Sequence, residues 1–300
     1  MYVVTGATGN TGKVVAQRLL AQGQNVRVIG RNADRLQSLV AQGAEPFVAD
    51  LSDAAALTRA FTGAEGVYLM IPPDLTSENV AAHQAQVADA FSSALKQAEV
   101  KYAVALSSIG ADKPEKTGPV VGLHRFEEKL NQIAGLNVLH LRAGYFMENT
   151  LSQAGTIRAF GKTAGPLRAD LKVPMIATRD IGAAAADALL KKNFSGEQTR
   201  ELLGQRDLDY KEVTAIIAKA INKPDVEYVK LPDEQLKPVL LQLGFSGNMA
   251  DSLLEMSASL NSGYMKSLEK RTPQNTTPTS YETFVNEEFL PVYKAKSRAA

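Results

Sequence analysis

The sequence predicts an α/β protein: a doubly wound parallel sheet followed by a smaller, mostly helical lobe. Three observations carry this. Strand-length apolar runs alternate with amphipathic stretches of helical spacing six times in the first ~145 residues. The connections between them are short. The run GVYLMI at 66–71 is apolar almost throughout, as befits a strand covered on both faces.

The first strand is expected over residues 2–5 (YVVT), before a glycine-rich turn. Val14, Val15, Leu19 and Leu20 then recur at helical spacing, with Gly23 as a stop. NVRVIG (25–30) is the second strand, and Asn32 is the expected N-cap of the helix after it. AEPFVAD is the third strand, and the next helix enters through Ser52 or Asp53. A long helix is expected over 78–98, a fifth strand in KYAVALSS, a helix over 119–134, and a sixth strand in NVLHLRAG (137–144). Further on, LKVPMIATRDIGAAAADALLKK reads as strand then helix, with Asp180 as cap, and TRELLGQRDLDYKEVTAIIAKAINK repeats the pattern. VEYVKLP is one more strand. Residues 233–265 read as helical with a break at Gly244, Ser246 and Gly247, and YETFVNEEFLPVY is the closing helix after a polar 271–280 loop. The expected division is a nucleotide domain over 1–150 and a smaller substrate lobe over 151–300, with elements near 172–192 returning to the main sheet.

Composition narrows the chemistry. The chain has no cysteine, which excludes disulfides, thiolate metal sites and a cysteine nucleophile. Thirty-three Lys and Arg against 32 Asp and Glu leave a net charge of +1, with no field to gather nucleic acid. No run approaches the roughly 18 apolar residues of a membrane span. A first strand starting at Tyr2 leaves no room for a leader, so the expected compartment is the cytoplasm.

The turn TGATGNTG places Gly6, Gly9 and Gly12 three apart between a strand and a helix. Glycines there let the backbone turn tightly and approach a pyrophosphate. A helix starting near Asn10 or Thr11 aims unpaired N–H groups and its positive dipole end at the phosphates. Thr5, Thr8, Asn10 and Thr11 add polar side chains at the same point. This strand–turn–helix context points to a dinucleotide site in a Rossmann-type domain. NAD-binding versions end the second strand with an acid that holds the ribose hydroxyls. Here Gly30 and Arg31 stand in that place, with no acid before Asp34, and a cation suits the 2′-phosphate of NADP. NADPH is therefore the expected cofactor. Asp50, or its neighbour Leu51, is placed to meet the adenine, and Arg35 could assist Arg31 or face water.

VTGATGNTG, GRN, LSSIGA and LRAGYFMEN together resemble the NmrA-like group of atypical short-chain dehydrogenase/reductases, over most of the chain. That group includes NADPH-dependent quinone, triphenylmethane-dye and isoflavone-type reductases, and redox-sensing regulators that bind NAD(P). The resemblance implies that Gly6, Gly9 and Gly12 are the dinucleotide glycines, with Thr8, Asn10 and Thr11 along the pyrophosphate and Arg31 on the adenosine phosphate. It sets Ile71, Pro72 and Pro73 beside the cofactor path. It puts Ser107 and Ser108 where typical members carry a catalytic serine.

The sequence departs from typical members at the tyrosine and lysine that move the proton: no Tyr-x-x-x-Lys occurs. The helix that should carry the pair reads VVGLHRFEEKL. His124 stands near the tyrosine's place, with Glu128 one turn on and Lys129 just off that face. His124 is therefore the candidate acid or substrate-orienting group, Glu128 the holder of its tautomer, and Ser108 their neighbour. The alternative is that His124 borders the nicotinamide pocket. His83 and His140 read as structural. Tyr145, Phe146 and Met147 follow the sixth strand at the carboxyl edge, where ligands sit in such sheets. Tyr145 and Asn149 are the better site residues and Phe146 reads as core, as do the Met and Leu positions at 249–265.

Two functions follow. The first is an NADPH-dependent reductase of a small aromatic or quinone-like acceptor, with no metal, direct nucleic-acid contact or membrane contact. The second is a non-catalytic NAD(P) sensor acting through a protein partner. The missing tyrosine speaks against a nucleotide-sugar epimerase or dehydratase.

Overall fold

The computed structural model describes residues 1–295; residues 296–300 of the expected second lobe lie outside them. The first half runs β1 (Tyr2–Val4), α1 (Asn10–Ala21), β2 (Val26–Gly30), α2 (Gln37–Val40), β3 (Glu45–Val48), α3 (Ala54–Phe61), β4 (Gly66–Leu69), α4 (Val80–Gln97), β5 (Tyr102–Ser108), α5 (Val120–Asn131) and β6 (Asn137–Ala143). The second half runs β7 (Tyr145–Phe146), α6 (Gln153–Phe160), β8 (Thr163–Gly165), β9 (Val173–Ile176), α7 (Thr178–Lys191), β10 (Glu197–Leu202), β11 (Arg206–Leu208), α8 (Tyr210–Ala220), β12 (Tyr228–Lys230), α9 (Asp233–Gln242) and α10 (Gly247–Ser262). It closes with α11 (Tyr281–Phe284), a π turn (Val285–Phe289) and α12 (Leu290–Lys294).

Seven strands form one parallel sheet in the order β10-β6-β5-β4-β1-β2-β3. Strand alternation sends Tyr2 and Val4 to one face, where Val15, Leu19, Ile181 and Leu189 of α1 and α7 cover them. Val3 and Val67 face the other side, under Leu57, Phe61, Phe91 and Phe126 of α3, α4 and α5. Both faces are thus buried, as continuous apolar strands require. From β1 the chain winds outward to β2 and β3, then returns to β4 on β1's other flank. That reversal opens a crevice at the carboxyl ends of β1 and β4, where ligands bind in open α/β sheets.

The second half returns to the main sheet through α7, packed on α1, and through β10 at the edge. The strand at 173–176 does not join that sheet: β9 pairs with β7 and β11 in a separate three-stranded sheet. Asp180 is not a cap. Ala177 holds the N-cap position of α7, and the buried Asp180 carboxylate accepts from the Thr279 N–H at 3.0 Å and hydroxyl at 2.8 Å. The end of α7 is instead covered by Glu148, whose Oε1 accepts from the Thr178 N–H and hydroxyl at 2.8 and 2.5 Å. Burial pushes the Glu148 carboxyl up. Asp53 takes its expected N-cap position and accepts from the Ala56 N–H, whereas Asn32 stands one residue before Ala33, the N-cap of the short turn at Asp34–Leu36, and its Oδ1 accepts from the Asp34 N–H. The lobe core gathers Met147, Met175, Tyr210, Tyr281, Phe284 and Phe289. Met249 and Leu254 of α10 and the following Met265 are buried, as the core reading expects.

Candidate active site

Gly6 leaves β1 in the left-handed region, at φ +60°. A Cβ on Gly12 would stand 2.4 Å from the Gly6 carbonyl oxygen and 2.9 Å from that of Thr5, so α1 approaches β1 this closely only with glycine there. Gly9 is the N-cap of α1, offers no side chain to its free N–H groups, and is followed by no acid in the first turn. The uncapped end lies at the crevice and is left to an anion. Thr8 is half-buried and Asn10 exposed beside it. Two neighbouring hydroxyls bond within the fold. Thr11 is buried and accepts from the Tyr68 hydroxyl at 2.9 Å, while Thr5 donates to the Tyr68 carbonyl and accepts from the Met70 N–H. These bonds tie β1 and α1 to β4, and the Thr11 hydroxyl, an acceptor there, keeps its own proton to donate.

Arg31, just beyond β2, is exposed and joins no ion pair or hydrogen bond among the described residues. Asp50 lies close enough for the guanidinium to favour its ionised form, yet its main holders are the Ser52 hydroxyl and N–H at 2.6 and 2.8 Å, which keep its carboxyl low. Both bonds go to Oδ1. The Leu51 and Ile71 side chains belong to the core, leaving only their main chains to a ligand; Pro72 is half-buried and Pro73 exposed.

At the end of β5 strand alternation separates the two serines. Ser107 is buried and its hydroxyl donates to Glu127 Oε1 at 2.5 Å. Glu127 is buried as well and holds Arg142 of β6 through Nε at 3.0 Å and Nη2 at 2.5 Å. Ser108 is half-buried and donates to the Ile109 carbonyl. His124 Nδ1 donates to the Ala111 carbonyl at 2.8 Å, which leaves Nε2 as the only free ring nitrogen, 3.5 Å from Glu128 Oε1. His124 and Glu128 do form the expected pair, with Glu128 largely exposed. His140 is buried against Asn131, and burial lowers it from 6.5 to about 4.

Gly144 carries the chain from the main sheet to the small one. Its N–H donates to the Leu202 carbonyl, and a Cβ there would stand 2.5 Å from the Pro174 carbonyl. The next residue, Tyr145, therefore lies at the seam between sheet and lobe, two positions beyond Ala143, the register partner of Ser108. Tyr145 is half-buried and accepts from the Tyr210 hydroxyl at 3.2 Å. Tyr210 stacks on Tyr228 at 4.7 Å between ring centroids, and Tyr228 donates to the Leu167 carbonyl at 2.7 Å. Asn149 is exposed beyond Tyr145, Phe146 packs against the main core, and Met147 is buried.

The model of the NmrA-like family matches residues 2–290. The chain belongs to the NmrA-like family. It is 30% identical over 280 residues to the NAD(P)H azoreductase of Xenophilus azovorans, covering 92% of this chain and 93% of that one. It is 29% identical over 268 residues to quinone oxidoreductase 2 of Escherichia coli, covering 88% and 89% of the two chains. The crystal structure of the E. coli NADPH-dependent quinone oxidoreductase with NADPH superposes with a TM-score of 0.79 at 26% identity, over 95% of this chain and 99% of that one.

Within this NmrA-like chain, sequence reasoning overlooked Glu127, Tyr210 and Tyr228. Glu127 had one available signal: a helix carrying acids at both 127 and 128 presents them to different faces, and Phe126 and Leu130 mark the inner one. Nothing local singled out the tyrosines of α8 and β12.

Proposed function

We propose that this protein is an NADPH-dependent oxidoreductase that passes hydride to a small aromatic or quinone-like acceptor. The observation that carries the reading is the uncapped, glycine-lined N-terminus of α1 at the sheet reversal, with the unpaired Arg31 at the end of the neighbouring strand. These residues fit a dinucleotide with a 2′-phosphate. The named activities of the azoreductase and quinone reductase relatives, and the NADPH in the structural neighbour, support the same assignment.

In this reading Gly6, Gly9, Gly12, Thr8 and Asn10 hold the pyrophosphate through main chain and short side chains. Arg31 meets the 2′-phosphate, and the main chain near Leu51 and Ile71–Pro72 borders the adenosine. The reduced nicotinamide supplies the hydride when bound. Ser108 and His124 border its pocket, and the Ala111 bond of His124 fixes the turn after β5 over it. The nucleotide part is residues 1–150 with α7 and β10, and the rest of the second half walls the acceptor space. Among the described residues no helix is long and apolar enough to cross a membrane, and a cytoplasmic location suits an enzyme fed by NADPH.

The missing Tyr-x-x-x-Lys pair keeps a second reading open, a cofactor sensor that works through a protein partner. NADPH oxidation assayed with quinones, azo dyes and enones separates the two. Turnover of any acceptor establishes the reductase, and tight NADPH binding without turnover across the panel favours the sensor.

A further inference from the structure

We propose that Tyr145, activated by the hydroxyl of Tyr210, is the proton donor of the reaction, in place of the absent tyrosine–lysine pair. This rests on the reductase reading above. Hydride delivered to a quinone or azo acceptor brings two electrons and one hydrogen nucleus, and leaves an anion one proton short. The Tyr145 Oη–H bond breaks, and an O–H or N–H bond forms on the acceptor. The electron pair of the broken bond stays on the tyrosine oxygen, and water later returns the proton.

Such a step needs a donor at the mouth of the sheet and a preformed partner for the charge left behind. Tyr145 is at the carboxyl edge one strand from Ser108, with a half-buried side chain. The buried Tyr210 hydroxyl already points its proton at the Tyr145 oxygen, 3.2 Å away. Tyr210 is fixed in turn: its ring stacks on Tyr228, and that phenol is anchored to the Leu167 carbonyl. Burial pushes the Tyr145 phenol up, while the bonds from Tyr210 and Asn149 act the other way. The phenol thus keeps its proton until a strong base forms beside it. His124 is the poorer candidate, because one ring nitrogen is spent on Ala111 and the other sits against an exposed carboxylate. Where typical family tyrosines are aided by a cation, Tyr145 is aided by a neutral hydroxyl on an element of the second lobe.

The test uses Tyr145→Phe and Tyr210→Phe, which keep both rings and their packing. With a quinone or azo acceptor, Tyr145→Phe should lower kcat on the order of 100-fold, with NADPH affinity by calorimetry within about twofold of wild type. Tyr210→Phe should give a smaller loss. With a triphenylmethane cation, which takes a hydride and needs no proton, Tyr145→Phe should lose far less than with the quinone. A readout independent of turnover is the [13Cζ]tyrosine spectrum of the cofactor-free protein. The Tyr145 signal, assigned by its loss in Tyr145→Phe, should shift in Tyr210→Phe and begin to ionise at higher pH. Full quinone turnover in Tyr145→Phe, or a Tyr145 signal indifferent to Tyr210→Phe, overturns the proposal. A wild-type protein that reduces no acceptor overturns the reductase reading itself, which is a distinct failure.

Discussion

Ser107 and Glu127 are joined by a 2.5 Å hydrogen bond between β5 and the inner face of α5, in a place closed to solvent. Because Arg142 of β6 grips the same carboxylate at two points, a single side chain locks two strands and a helix together. Ser108 follows Ser107 directly, and His124 sits almost one turn before Glu127. The lock therefore fixes the spacing of Ser108 and His124.

Removing this carboxylate strands a mostly buried guanidinium. Glu127→Ala is expected to cost about 3–5 kcal/mol of unfolding free energy, read by urea denaturation. Glu127→Gln, which keeps an acceptor, should cost less. A loss under about 1 kcal/mol, as for an exposed pair, would contradict the buried lock.

Arg31→Ala should weaken NADPH at least tenfold, in line with the loss of about 1.5–3 kcal/mol for a hydrogen bond to a charged group. NADH affinity should stay within about twofold, since it lacks the 2′-phosphate. Equal losses for both cofactors would remove Arg31 from that role.

At the glycine turn the two positions should behave differently. Gly9 has ordinary extended backbone (φ −92°, ψ 176°), and a Cβ there meets only the Gly6 oxygen, at 3.3 Å. Gly9→Leu should leave the melting temperature within a few degrees and abolish binding of both cofactors. Gly12→Ala forces a methyl into the Gly6 carbonyl and should lower stability as well. Thermal scans with and without NADPH distinguish the outcomes. Cofactor-induced stabilisation that survives in Gly9→Leu would contradict the site.

The contrast shows what a chain discloses by itself. Strand alternation, helical spacing and the glycine turn are local, so the first half and its strand–turn–helix opening are legible in outline. Side-chain commitments made across the fold are not. The bond that the Tyr68 hydroxyl gives Thr11 comes from 57 residues away, and no local pattern announces it. Asp180 reads as a helix cap until Thr279 arrives from 99 residues on and Glu148 takes the helix end. Glu128 pairs with His124 along the helix, a local spacing, while Glu127 meets Ser107 and Arg142 of the sheet, which no local spacing announces. Tyr210 gains significance only when Gly144 turns Tyr145 towards the second lobe.

His140 gives the fold an acid sensitivity. Its folded value, about 4, is below the ordinary 6.5, so between those values the unfolded chain binds more protons. Stability is therefore expected to fall as pH drops through that window, by roughly 3 kcal/mol once it is crossed. His140→Gln should flatten this slope in denaturation curves measured across the window. An unchanged slope would show that the acid sensitivity arises elsewhere.

The proposed function requires that the crevice at the β1–β4 reversal hold NADPH for hydride transfer. Its most direct measurement is calorimetric titration with NADPH and NADH, followed by NADPH oxidation with a quinone in the same sample. One NADPH per chain should bind, at least tenfold tighter than NADH through Arg31, and its oxidation should depend on the quinone. No NADPH binding would contradict the site, and tight binding without oxidation of any acceptor would contradict the reductase.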